Sequence, residues 1–301
     1  MFKNKIVLVT GGTGSFGNAV VERLLKLKPK KIIVFSRDEL KQEVMRNKYN
    51  SPLLHFIIGD IRDRDSLDKA FKGVDYIFHA GALKQVPACE INPIEAIKTN
   101  TIGGQNVIEI AIRHKVKRVV VLTTDKAVYP INAMGMSKAL MEKIMISYSN
   151  NPYTILCGVR YGNVLSSRGS VVPYFISLIK ENKPLQITDP NMTRFLLTLD
   201  DAVDLVLETL KKGKSGQIYV KKSPACTIEI LAKAMIDIFD YKKGFKVVGI
   251  RIGEKIHETL IASEDKPFTS ENTLQLDVDQ VKKLLLSLPL IQEERRIYAR
   301  K

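Results

Sequence analysis

A short apolar run, KIVLV at 5–9, leads straight into VTGGTGSFG at 9–17. No other segment limits the fold as much. A buried strand that ends on glycines at G-x-x-G-x-x-G spacing and then turns into a helix opens a mononucleotide-binding βαβ unit. Gly11 permits the tight turn out of the strand, Gly14 lets a pyrophosphate approach the backbone, and Gly17 lets the helix pack near the sheet. The helix N-terminus adds N–H donors and the positive end of its dipole. The apolar run is too short for a secretory leader, and no cleavage-like site precedes the glycines, so a strand is expected.

The pattern then repeats. KIIVF at 31–35, LHFIIG at 54–59, VDYIFHA at 74–80, RVVVLTT at 118–124 and YTILCGVR at 153–160 are short and rich in β-branched residues. They barely alternate, as strands buried on both faces do not. Helical patterns lie between them, at 18–27 and 94–114, and further ones follow at 169–181 and 199–212. The expected fold class is α/β: a doubly wound parallel Rossmann sheet with a smaller α/β substrate-binding lobe. The dinucleotide domain is expected at 1–162 and 195–222, and the lobe at 163–194 and 223–301.

Composition narrows the function classes. A net charge of +15 raises the question of nucleic acid, but the lysines come in scattered pairs such as Lys30-Lys31 and Lys211-Lys212. A solvated basic surface is expected, with no nucleic-acid partner. No apolar stretch reaches membrane-spanning length, so no membrane insertion is expected. Cys89, Cys157 and Cys226 are far apart and odd in number. That spacing fits reduced thiols in a cytoplasmic protein and suits neither a metal site nor a disulfide framework.

The end of the second strand separates the two nicotinamide dinucleotides. An acidic residue there would bond the adenosine ribose. The stretch is FSRDE, so Ser36 and Arg37 arrive first, and a hydroxyl with a guanidinium suits a 2′-phosphate. Asp60, in GDIRD after the third strand, is placed to accept from the adenine amino group. Asp125 and Lys126 follow the fifth strand, at the sheet edge where such folds place ligands.

Taken in order, TGGTGSFG, SRDELKQ, GDIRD, HAGALKQVP, TTDKAVYPINAMGMSKALMEK, RYGNVLSSRGSVVPYF, MTRF and IRIGEKIHE resemble the extended short-chain dehydrogenase/reductases. The closest resemblance is to inverting UDP-N-acetylglucosamine 4,6-dehydratases, in the capsular-polysaccharide CapE-like branch, and it spans roughly 1–270. It implies a lyase holding NADP, acting on UDP-N-acetylglucosamine for a surface polysaccharide, as a homo-oligomer and usually a hexamer. Further cofactor contacts are then expected at Ser15, Phe16, Ile61, Ala80, Gly81, Ala82, Lys84, Asn100 and Tyr161. Substrate contacts are expected at Lys84, Asn163, Arg168, Arg194, Arg251 and Glu254.

The implied chemistry oxidises carbon 4 of the sugar, which makes the carbon 5 proton removable, and water then leaves from carbon 6. The resemblance makes Lys126 the carbon 5 base and Asp125 the acid on the leaving hydroxyl. Lys138 would orient the nicotinamide ribose. Most relatives carry a tyrosine four residues before that lysine, and here Met134 stands there. A thioether is only a weak acceptor. Proton transfer at the carbon 4 hydroxyl then falls to Lys126, Asp125, Thr124, a water or, as an alternative phenol, Tyr129. A UDP-sugar 4-epimerase, a partial dehydratase and a non-catalytic NADP-binding protein remain open readings.

Overall fold

The computed structural model describes residues 1–298, in two compact units. The first comprises Met1–Arg160 and Asp200–Lys221. Its strands are β1 (Ile6–Thr10), β2 (Lys31–Ser36), β3 (Leu54–Ile58), β4 (Tyr76–His79), β5 (Arg118–Leu122) and β6 (Ile155–Arg160). They form one parallel sheet in the order β6-β5-β4-β1-β2-β3, and a seventh strand, Ile218–Val220, adds to β6. The order reverses beside β1, so the carboxyl ends of β1 and β4 form the crevice where doubly wound sheets bind ligands. Strand interiors are aliphatic on both faces, and Leu8, Phe35, Ile77 and Val121 belong to one core cluster. Each such side chain contributes about 1.5–3 kcal/mol of burial.

The helices are α1 (Ser15–Leu27), α2 (Glu39–Tyr49), α3 (Arg64–Ala70), α4 (Val86–Ile91), α5 (Pro93–Ala96), α6 (Gly103–Arg113) and α7 (Ala133–Ser147). The single helix expected at 94–114 is divided by a π-helical stretch, Ile97–Ile102. Periodicity does not reveal this, because the helix continues on either side and only the hydrogen-bond register changes. The seventh strand also went unanticipated. It is only three residues long, IYV, and shorter than every other strand of the sheet.

The second unit comprises Tyr161–Leu199 and, among the described residues, 222–298. Here β7 (Asn163–Val164) pairs in parallel with β9 (Thr193–Leu197), and the strand Ala225–Thr227 pairs antiparallel on the other side of β9. The strand β8 (Leu185–Ile187) pairs with Phe245–Val247. Its core gathers Phe175 and Ile179 of α8 (Val171–Lys180) with Leu231, Met235 and Leu285.

Candidate active site

The glycine turn is built as its spacing requires. Gly11 has φ +64°, and a β-carbon on it would stand 2.8 Å from the Gly81 backbone. Only glycine allows the ends of β1 and β4 to approach so closely. A β-carbon on Gly17 would stand 2.5 Å from the Gly11 carbonyl, so α1 starts directly on the turn that Gly14, Ser15 and Phe16 complete. Gly14 offers no capping side chain to the first turn of α1, which leaves that end suited to an anion. Ala80 donates its N–H to the Thr10 carbonyl at 3.2 Å, and Gly81 donates to the Thr10 hydroxyl at 3.2 Å. That hydroxyl also bonds His79 Nδ1 at 2.8 Å. Burial and the neighbouring Lys138 charge hold the imidazole down at about 3, so His79 is a neutral support under this loop.

At the ends of β2 and β3, Ser36 is buried and its hydroxyl accepts from Gln42 at 3.0 Å. Arg37 is half exposed and meets Asp60 at 3.6 Å. Asp38 caps α2, accepting from the Lys41 N–H at 2.9 Å, so the acid after Arg37 is spent on a helix end. Asp60 is held by Arg62. Ile61 is buried, and its carbonyl accepts from Asn106 at 3.2 Å.

Asn100 lies in the π-helical stretch and clamps the loop that carries Ala82 and Lys84. Its side chain accepts from the Leu83 N–H at 2.8 Å and donates to the Leu83 carbonyl at 2.9 Å. It also donates to Ser137 at 2.9 Å, tying the loop to α7. Lys84 itself is exposed.

The 123–138 segment forms the centre. Thr124 caps the 3-10 turn Asp125–Ala127 and donates to Asp125 Oδ1 at 2.8 Å. Lys126 Nζ donates to the same oxygen at 3.1 Å. Asp125 is fully buried, with Lys126 partly open beside it. An acid and an amine are thus in contact at the edge of β5. Lys138 is buried, and Nζ donates to the Leu122 carbonyl at 2.9 Å. Burial pushes its ammonium down to about 8, against the opposing pull of Glu142. Met134 is sealed into an apolar cluster with Cys89 and Ala96, packed by Leu83, Val86 and Ala133. Tyr129 is exposed, with φ 46°.

Three residues of this centre escaped the sequence reading. Gly135 lets α7 approach the Lys126 backbone. Glu142 accepts from Thr123 and takes Arg160 at 2.8 and 2.5 Å, locking the ends of β5 and β6 to α7. The glycine inside a helix was a visible signal for Gly135. Glu142 and Arg160 gave none, since charged residues read as surface until their burial is known.

In the second unit, Tyr161 is half-buried just after β6, and Arg168 is exposed. The buried Arg194 donates to the Thr193 and Ile256 carbonyls at 2.8 and 3.1 Å, so part of its guanidinium braces backbone. Arg251 and Glu254 share a turn, Glu254 N–H bonding the Arg251 carbonyl at 3.2 Å. Among the described residues, Asn163 and Glu254 each bury a side-chain oxygen without a hydrogen-bond partner, as do Ser166 and Ser170. Buried polar oxygens without partners are rare and call for a ligand or water. Ser166 and Ser170 were also missed, although both lie within the motif SSRGS.

Residues 7–277 match the polysaccharide biosynthesis protein family. The chain belongs to this family. A relative named UDP-glucose 4-epimerase from Rickettsia akari is 50% identical over 98% of this chain and 99% of its own length. The structure of Pen from Bacillus thuringiensis shares 34% identity, covers 95% of this chain and 99% of its own, and superposes with a TM-score of 0.91. DesIV, a dTDP-glucose 4,6-dehydratase from Streptomyces venezuelae solved with NAD and TYD bound, shares the fold at 23% identity. It covers 83% of this chain and 86% of its own, with a TM-score of 0.77. This member of the polysaccharide biosynthesis family thus has the doubly wound α/β fold of the short-chain dehydrogenase/reductases. Among its described residues no group of side chains could hold a metal ion, and no helix is long and apolar enough to cross a membrane.

Proposed function

We propose that this protein is a nucleotide-sugar lyase, a UDP-N-acetylglucosamine 4,6-dehydratase that inverts carbon 5, working with NADP. The observation that carries the reading is the buried Asp125 in contact with Lys126 at the edge of β5. An acid and an amine side by side suit the removal of a proton from one carbon and the departure of a hydroxyl from the next. Lys126 takes the carbon 5 proton, and Asp125 protonates the carbon 6 hydroxyl as it leaves. With Met134 sealed in its apolar cluster, the carbon 4 hydroxyl proton passes to Lys126 or Asp125, with Thr124 bonded to the same carboxylate.

The residues fit a bound dinucleotide. The glycine turn at Gly11, Gly14 and Gly17 leaves room that side chains would fill, and the dinucleotide-bound DesIV shares the fold. Bound there, NADP supplies reversible hydride acceptance. Arg37 favours the 2′-phosphorylated form, because both neighbouring acids are already engaged. Lys138 holds the nicotinamide ribose, and Asn100 fixes the loop beside it. Asn163, Ser166, Ser170 and Glu254 supply unsatisfied oxygens for the hydroxyls of the UDP-sugar.

Exposed Ile91, Ile94, Met136 and Leu140 on α4, α5 and α7 support a homo-oligomer, with a hexamer and a cytoplasmic site as the fuller reading. A second reading is UDP-sugar 4-epimerisation, favoured by the name of the 50%-identical relatives. Incubation with UDP-N-acetylglucosamine and mass measurement separates the two. Loss of one water supports the dehydratase, and an unchanged mass with an inverted carbon 4 supports the epimerase.

A further inference from the structure

The ends of β2 and β3 bring an unusual charge arrangement together. The two strands are parallel neighbours, with Ser36 opposite Ile58. Arg37 and Asp60, just beyond them, therefore emerge side by side. A carboxylate at that edge would repel the phosphate that Arg37 is there to attract. Asp60 is not left to do so. Arg62 donates to Asp60 Oδ2 through Nη2 at 2.6 Å and Nε at 2.9 Å, and its backbone N–H bonds Oδ1 at 2.9 Å. Burial works against the charge, but these bonds outweigh it and hold the Asp60 carboxyl below its usual range. The remaining Arg62 nitrogen donates to Glu95 at 2.8 Å. Arg62 is thus committed to acids, whereas Arg37 makes only the 3.6 Å ion pair among the described residues.

We propose that Arg62 sets the choice between the two nicotinamide dinucleotides indirectly: it neutralises Asp60 and so leaves Arg37 available for a 2′-phosphate. The inference rests on the NADP reading. Arg62 touches no phosphate in this scheme. It is a selectivity residue acting through Asp60, and the two charges must cancel for Arg37 to work. Glu95 does not take over the repulsive role when Arg62 is removed, because Lys98 pairs with it at 3.1 Å.

The test is a fluorescence titration of NADPH and NADH into the full chain, freed of co-purified nucleotide, at low ionic strength. The proteins are the parent, Arg62→Ala, Asp60→Asn and the double variant, each checked for fold by circular dichroism. Arg62→Ala is expected to weaken NADPH binding roughly fivefold, the scale of one exposed ion pair, and to leave NADH within about twofold. Asp60→Asn in the Arg62→Ala background is expected to restore NADPH binding. If the double variant stays as weak as Arg62→Ala, Arg62 contacts the phosphate itself and the proposal is wrong. Equal loss for both dinucleotides overturns it too. A parent protein with no NADPH preference sinks the NADP reading and this proposal together, and that outcome is visible before any variant is measured.

Discussion

The backbone carbonyl of Lys126 occupies the space that a β-carbon on Gly135 would need. The helix carrying Met134 and Lys138 is thereby seated directly on the turn carrying Asp125. The obstacle is backbone, which cannot swing aside as a side chain can. Gly135→Ala should cost about 1–3 kcal/mol of stability through overpacking. It should also displace Lys126, lowering turnover on the order of a hundredfold, as a shift near 1 Å can. Thermal unfolding and turnover measured together check this. Wild-type turnover would mean that the turn and the helix move independently.

Lys126→Ala is expected to reduce dehydration by a factor of about 10² to 10⁴, the range a positioned base contributes. Dinucleotide binding should persist, since the glycine turn and Lys138 are untouched. Solvent deuterium should no longer enter carbon 5 of the sugar. Near-normal exchange in the variant would place the base elsewhere.

Met134 gives the opposite expectation. Its side chain is packed among Cys89, Ala96 and Leu83, so Met134→Leu keeps volume and dryness. Such swaps cost under about 1.5 kcal/mol, and turnover should remain within roughly tenfold. Lys138→Ala should slow the reaction far more. A Met134→Leu variant as damaged as Lys126→Ala would show that the sulfur has a chemical role.

Lys138 also carries a pH signature. Its ammonium falls to about 8 from the ordinary lysine value of 10.5, chiefly through burial, with Glu142 pulling the other way. Below about 8 both folded and unfolded chains hold the proton, and the folded chain bears the full cost of burying it. Between that point and the ordinary value the unfolded chain binds a proton that the folded chain has released, so stability rises with pH. Lys138→Met removes this cost, on the order of 3 kcal/mol, less the bond to Leu122. Denaturant unfolding of parent and variant at about pH 7 and about pH 10 should show the variant's relative advantage shrinking at the higher pH. A difference that stays constant would contradict the burial of a charged Lys138.

Much of the sheet was legible in advance because its strands are buried on both faces, and unbroken β-branched runs such as RVVVL leave little else to form. The glycine turn was legible for a related reason: close backbone approach has only one residue type to express it. The π-helical stretch around Asn100 was invisible, since a change of hydrogen-bond register leaves the apolar spacing of 94–114 almost unaltered. The Glu142–Arg160 pair was invisible because burial of a charge is decided by distant strands. Asp38 follows Arg37 directly in FSRDE, and its role was not legible there. Its use as the α2 cap depends on where that helix begins, which the neighbouring Arg37 does not reveal.

The seventh strand has a consequence for how the chain is made. Ile218–Val220 completes the sheet on β6, yet all of Tyr161–Leu199 is synthesised between them. During the interval the outer edge of β6 carries unpaired N–H and C=O groups, a template for pairing with another chain. At ordinary ribosomal speed that interval is on the order of several seconds. A nascent chain is therefore most exposed to aggregation while residues 161–217 are emerging, and truncation anywhere before Ile218 makes that exposure permanent.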